Sequence, residues 1–149
     1  MKTLLLAAFL LALSLAPSHA LPLRDSLAMF ESGATVPSRS AADLMLGGAG
    51  EISRFQILPE VWRAYSPSRE YTNPEIAWEV AHRILGDRIK HFQEITNRPP
   101  SAVEIYLLWN KPGHFESAGF ELKSVKKLYR SRAERFGNLY TRLSALAAQ

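Results

Sequence analysis

Asn73-Pro74-Glu75-Ile76-Ala77-Trp78-Glu79-Val80-Ala81-His82-Arg83-Ile84-Leu85 decides the fold class of this chain. Asn73 is a helix cap, and Pro74 fits the first helical position, where its missing N–H would have no partner anyway. Ile76, Ala77, Val80, Ala81, Ile84 and Leu85 then recur at three- and four-residue spacing, continued by Ile89, Phe92 and Ile95. That period predicts one long helix with a wide apolar face, unbroken until Asn97, Pro99 and Pro100. Such a face must be covered by other elements, so a mostly helical domain is expected around it.

Toward the C-terminus, Ser101 and Glu104 have the spacing of a capping box. The helix they open holds Val103, Ile105, Leu107, Leu108 and Trp109. It is apolar nearly all round, which predicts a place in the domain centre. Pro112-Gly113 ends it. A last long helix is expected from about Ser124, with Val125, Leu128, Tyr129, Ala133, Phe136, Tyr140 and Leu143 inward and basic residues outward.

Toward the N-terminus, Pro59 opens a brief helix carrying Val61, Trp62 and Tyr65. Gly47-Gly48-Ala49-Gly50 reads as a tight turn, and Ile52, Phe55 and Ile57 after it suit short strands. Met45 to Leu58 is therefore expected to form a small β-hairpin. Ala34 to Leu44 is small and polar, a loop able to border a cleft. Asp25 is expected to cap a short helix through Leu27, Ala28, Phe30 and Glu31, with Gly33 as its stop. The expected class is α+β, predominantly α-helical.

The first twenty residues read as a secretory signal peptide rather than as part of the fold. Lys2 supplies the basic start, Leu4 to Leu15 is apolar apart from Ser14, and Ser18-His19-Ala20 offers small residues at the cut. The run is too short and wrongly flanked for a membrane span. Taking these 20 from 149 residues leaves 129, one domain over 21–149 without repeat or linker. The chain has no cysteine, so lipidation and disulfides are excluded and an exported protein must stand on its core alone. Net charge is +4, and removing Lys2 with the leader leaves +3. That mild excess suits an anionic polymer such as a cell wall, and it is too weak and too evenly spread for nucleic acid. A monomer in a periplasmic or extracellular setting is expected.

Most site chemistries are excluded by residue type. His82 and His91 stand nine apart and His114 is isolated, so no metal-ligand spacing exists. There is no G-x-S-x-G elbow and no thiol nucleophile. The glycines at 47–50 lack the Gly-Lys-Ser/Thr ending of a phosphate loop. No cofactor is implied. Carboxylate chemistry remains, and Met29-Phe30-Glu31-Ser32-Gly33 offers an acid at the end of an apolar helix.

Four pieces follow one another in order: Glu31-Ser32; Gly50 to Gln56-Ile57 with Pro59; Asn73-Pro74 opening a long helix; and Leu108-Trp109-Asn110 with Pro112-Gly113. In that order they resemble the lytic transglycosylase catalytic domain of the lysozyme-like superfamily. Its pattern runs E-S, then G-L-M-Q-I-x-P, then A-Y-N and a Gly/Pro turn. The resemblance spans about Leu27 to Tyr140. It is that of a divergent member: Ser53-Arg54-Phe55 stands for Gly-Leu-Met, Trp109 for tyrosine, and Glu51 at a position usually small or aromatic.

The resemblance implies a lysozyme-like fold and peptidoglycan glycan strands as the substrate. Glu31 would protonate the oxygen between N-acetylmuramic acid and N-acetylglucosamine, then act as base on the muramyl 6-hydroxyl to give a 1,6-anhydro product. Holding its proton near neutral pH needs apolar neighbours such as Phe30. Gln56 and Asn110 would offer amides to the sugar, or else satisfy backbone at their own element ends. Trp109 would stack on a sugar face, bring its indole N–H near Glu31, or be core. Ser32 is a substrate-binding candidate that equally suits ending its helix. Two other readings stand open: hydrolysis with Glu51 as second carboxylate, unless Glu51 pairs with Arg54 or Arg63, and an inactive glycan- or protein-binding module, favoured by Ser53-Arg54-Phe55.

Overall fold

The structure is a computed structural model that describes residues 20–149. The expected leader lies outside the described residues except for Ala20, which begins the first helix. Six α-helices make up the described chain: α1 (Ala20–Ser32), α2 (Pro59–Tyr65), α3 (Pro74–Thr96), α4 (Ala102–Asn110), α5 (Pro112–Ser117) and α6 (Lys127–Ala147). Single 3-10 turns occupy Ser40–Leu44 and Leu122–Ser124. Among these residues no helix is long and apolar enough to cross a membrane.

The long helix forms where the apolar period places it. Asn73 Oδ1 accepts from the N–H groups of Glu75 and Ile76 at 3.0 and 3.3 Å, satisfying two donors that lack intrahelical partners. Asn97 ends α3 in the left-handed region at φ 54°. Ala77, Val80, Ala81, Ile84, Leu85 and Phe92 are buried along its face, whereas Ile95 lies beyond the core and is 53% exposed.

The capping box of α4 is complete. Ser101 Oγ accepts from Glu104 N, and Glu104 Oε2 accepts from Ser101 N at 2.7 Å. Glu104 is buried, and Arg98 bonds both of its oxygens at 2.6 and 2.9 Å while lying over the Phe92 ring. The arginine and the cap donors together hold the Glu104 carboxyl below its ordinary pKa against the opposing effect of burial. So anchored, α4 packs on both α3 and α6, and α1 packs along α6. Tyr106, Leu107, Leu108 and Trp109 are all buried, as its nearly uniform apolarity predicts.

The core is aromatic. Phe92, Phe115 and Phe120 meet edge and face at one end, and Phe30, Tyr106 and Phe136 at another. Each such ring contributes about 1.5–3 kcal/mol on burial, which is how a domain without disulfides is held.

Several expectations are corrected. Met45 to Leu58 is not a hairpin: it holds one antiparallel bridge, Ile52 with Ile57, whose backbones exchange bonds of 2.8 and 2.9 Å. The next hydrogen-bonded rung would pair Gly50 with Pro59. Gly50 leaves the strand region at φ +83°, and Pro59 has no N–H and already begins α2. Asp25 does not cap a helix, because α1 begins five residues earlier and carries Pro22 in its first turn, where proline is tolerated. Pro112-Gly113 does end α4, but Pro112 then becomes the first residue of the unforeseen α5. The last helix starts at Lys127 rather than Ser124, and Leu128 faces outward at 76% exposure.

Candidate active site

Glu31 lies in the last turn of α1, and Gly33, in the left-handed region at φ +69°, turns the chain away just after it. Its carboxyl is almost closed off from solvent, with 6% of the side chain exposed. The Tyr106 hydroxyl of α4 donates to Glu31 Oε1 at 2.6 Å. Arg132 of α6 in turn donates from Nε to the Tyr106 oxygen at 2.7 Å, and its Nη2 stands 3.7 Å from Glu31 Oε2. Phe30 seals the other side, edge-on to Tyr106 and Phe136, with the Arg132 guanidinium 5.5 Å above its ring.

These surroundings act on the acid in opposite senses. Burial dominates and raises the Glu31 pKa above the ordinary carboxyl value. The Tyr106 hydrogen bond and the Arg132 charge pull it down, and the nearby Glu51 charge pushes it up again. A proton on Oε2 leaves the Tyr106 bond to Oε1 in place. The group is therefore arranged to hold a proton and to tolerate losing it.

Glu31 lies where two hollows meet, of about 280 and 400 Å³. Glu51, Gln56, Asn110 and Lys111 border both. The first hollow is walled by Ile57, Leu58, Val61, Ile84, Trp109 and Pro112; the second by Gly47, Gly48, Leu128, Tyr129, Arg132 and Arg135. One buried acid and two side-chain amides, Gln56 and Asn110, thus face a shared cleft.

The segment around the isolated bridge supplies the wall opposite α4. Ser53 and Gln56 both take left-handed backbone, at φ 65° and 52°, and close a tight turn around Arg54 and Phe55. Phe55 goes fully into the core against Trp78. Arg54 turns away from the cleft, bonding both Asp43 oxygens at 2.5 and 2.7 Å and the Pro37 carbonyl at 2.8 Å. None of Ser53, Arg54 and Phe55 lines either hollow. Gln56 does: its Nε2 donates to the Ser53 and Met45 carbonyls, and its Oε1 lies beside Gly47.

Glu51 pairs with neither Arg54 nor Arg63. Its Oε2 accepts from Ala49 N at 2.9 Å, and the carboxylate packs against Gly47 at the edge of the cleft. A Cβ at residue 47 would fall only 2.1 Å from Glu51 Oε2 and 2.5 Å from Gln56 Oε1. Only glycine lets the backbone come this close, and both polar groups are set against it.

On the α4 side, Asn110 is the last helical residue and opens onto both hollows. Trp109 is core for most of its surface, with 8% exposed, and presents an edge to the first hollow. Its indole does not hold Glu31; that bond belongs to Tyr106, three residues earlier on the same helix. Ser32 donates to the Ala28 carbonyl at 2.5 Å and accepts from Ala34 N at 3.2 Å; it lies outside both hollows and borders a separate one with Gly33, Arg39 and Met45. Its two hydrogen bonds are those of a helix-ending serine.

Tyr106 and Arg132 are the two site residues that the sequence reading misses. A signal for Tyr106 exists, since it precedes Asn110 by four and must share its helix face. Arg132 carries none, being one of several basic residues on an amphipathic helix. No family model, no curated protein and no solved structure matches the chain.

Proposed function

We propose that this chain is an exported, lysozyme-like glycosidase that cleaves the β-1,4 bond between N-acetylmuramic acid and N-acetylglucosamine as a lytic transglycosylase. The observation that carries the reading is the buried Glu31 carboxyl, held by Tyr106 on the floor of a cleft that also exposes Gln56, Asn110 and an edge of Trp109. Protonated Glu31 gives its proton to the glycosidic oxygen as the C1–O bond breaks. The carboxylate so formed is stabilised by the Tyr106 O–H and the Arg132 charge. It then takes the proton from the muramyl 6-hydroxyl, whose oxygen closes on C1 to form the 1,6-anhydro ring. Proton and leaving group balance with one carboxyl and no water.

Glu31→Gln assayed on purified sacculi tests this. Loss of muropeptide release supports it, and release equal to the parent rejects catalysis at Glu31. A second reading, hydrolysis, is favoured by Glu51, which borders both hollows and is free of arginine partners among the described residues. It would serve as base toward a water across the cleft. Mass spectrometry of the products separates the two by anhydro or reducing ends. An unchanged anhydro yield from Glu51→Gln removes Glu51 from the mechanism.

A further inference from the structure

The two hollows differ in charge. The first is walled by aliphatic side chains and Trp109, and the one cation bordering it besides Lys111 is committed: Arg88 donates to the Leu108 and Trp109 carbonyls at 3.0 and 2.6 Å. The second gathers Lys111, Arg132 and Arg135. Arg132 is engaged with Tyr106 and Glu31. Among the described residues Lys111 and Arg135 form no ion pair, and the Lys111 ammonium rests over the Tyr129 ring at 5.2 Å. Two carboxyls, Glu31 and Glu51, face these three cations, so the hollow keeps a positive excess even with both ionised.

Two uncommitted cations at the rim of a cleft raise the local concentration of anionic ligands. Lys111 directly follows Asn110, so the positive arm begins beside the reacting centre. The anion it meets must therefore hang from a sugar next to the bond being cut. On a muramyl strand that substituent is the lactyl-linked peptide stem, whose free carboxylates are its negative groups. A neutral amino-sugar polymer has nothing to offer there.

We propose that the hollow bounded by Lys111, Tyr129 and Arg135 is a subsite for the carboxylates of the peptide stem, so that the enzyme selects peptide-bearing strands over bare glycan. This inference rests on the glycosidase reading above. Phosphate groups of a wall polymer on the same strand share the chemistry, and removing the peptide alone separates the two sources.

The experiment compares kcat/KM on peptide-bearing strands, on the same strands stripped of peptide by an amidase, and on strands freed of phosphate polymer only. The parent is expected to favour the peptide-bearing strands by on the order of 3- to 10-fold, the range of a pair of partly exposed ion pairs. That ratio should fall as ionic strength rises, and it should shrink toward one in Lys111→Gln/Arg135→Gln. Arg135 is exposed and Lys111 half-buried, and each single variant, Lys111→Gln and Arg135→Gln, should lower the ratio part of the way. A parent that cleaves stripped and peptide-bearing strands equally overturns the subsite and leaves Glu31 catalysis standing. A preference that is lost when the phosphate polymer alone is removed, or that survives the double variant, also overturns it. A parent that cuts none of the strands overturns the glycosidase reading and the subsite together.

Discussion

The Tyr106 hydroxyl proton points at Glu31 Oε1 across 2.6 Å because Arg132 Nε, which can only donate, occupies the hydroxyl oxygen at 2.7 Å. The three side chains come from α4, α1 and α6, so one chain of donors ties three helices to one acid. Tyr106→Phe keeps the ring and its packing against Phe136 but removes the donor. The Tyr106 bond lowers the Glu31 pKa, so its loss raises that pKa further. The basic limb of the pH–activity profile should move to higher pH. In the proposed mechanism the carboxylate that forms would lose a charge-assisted bond of about 1.5–3 kcal/mol, so kcat should fall by about one to two decades. A limb that stays in place or moves to lower pH contradicts the arrangement.

Glu31→Gln should lower turnover by about two to four decades, the usual contribution of a general acid. It should also stabilise the protein at neutral pH. The folded-state pKa of Glu31 lies above the ordinary carboxyl value, so the native state holds the proton more tightly than the unfolded chain. Stability is then lost as pH rises from the ordinary value through the raised one, and the amide escapes that loss. Thermal unfolding of both proteins across acid and neutral pH checks the sign: the Tm gap should widen upward and close in acid.

Asp43 and Arg54 form an ion pair buried on both sides, with a further bond from Arg54 to Pro37 that fastens the 34–45 loop to the turn behind Gln56. Asp43→Ala leaves a buried guanidinium without its carboxylate. A loss of about 3–5 kcal/mol in urea unfolding is expected. Arg54→Met with Asp43→Leu should recover much of it, since two apolar groups bury without desolvation cost.

Gly47→Ala forces Glu51 and Gln56 off the backbone they lean on, because the added methyl would overlap their polar ends. These are far ends of flexible side chains, so urea unfolding should change by less than about 1 kcal/mol, within the ordinary range for surface positions. Activity on sacculi should nonetheless drop by about tenfold or more as the cleft wall is displaced. An enzyme with parental rate would show that the wall has no part in substrate positioning.

Where local chemistry decides, the residues were legible in advance. Asn73-Pro74 and the Ser101–Glu104 box fixed the starts of α3 and α4, because caps act within three residues. The hairpin does not form because apolar residues at 52, 55 and 57, spaced by three and two, serve a single bridge as well as a ladder, and Pro59 forbids the next rung. Gln56, Asn110, Glu51 and Glu31 border one cleft. Tyr106 shares a helix face with Asn110, but nothing in a linear chain reveals that its hydroxyl meets an acid 75 positions away. Arg132 was hidden for the same reason, among the outward cations of α6.

Helix α4 presents Tyr106, Trp109 and Asn110 at offsets of zero, three and four, and that phase limits how this cleft can diverge among descendants. One residue inserted between Tyr106 and Asn110 would turn the latter by about 100° and advance it by about 1.5 Å, separating the acid's holder from the cleft-facing amide. Replacements at 109 and 110 can retune what the groove accepts, while changes of length inside α4 cannot. Lineages descended from this fold should therefore keep a constant count from Tyr106 to Asn110.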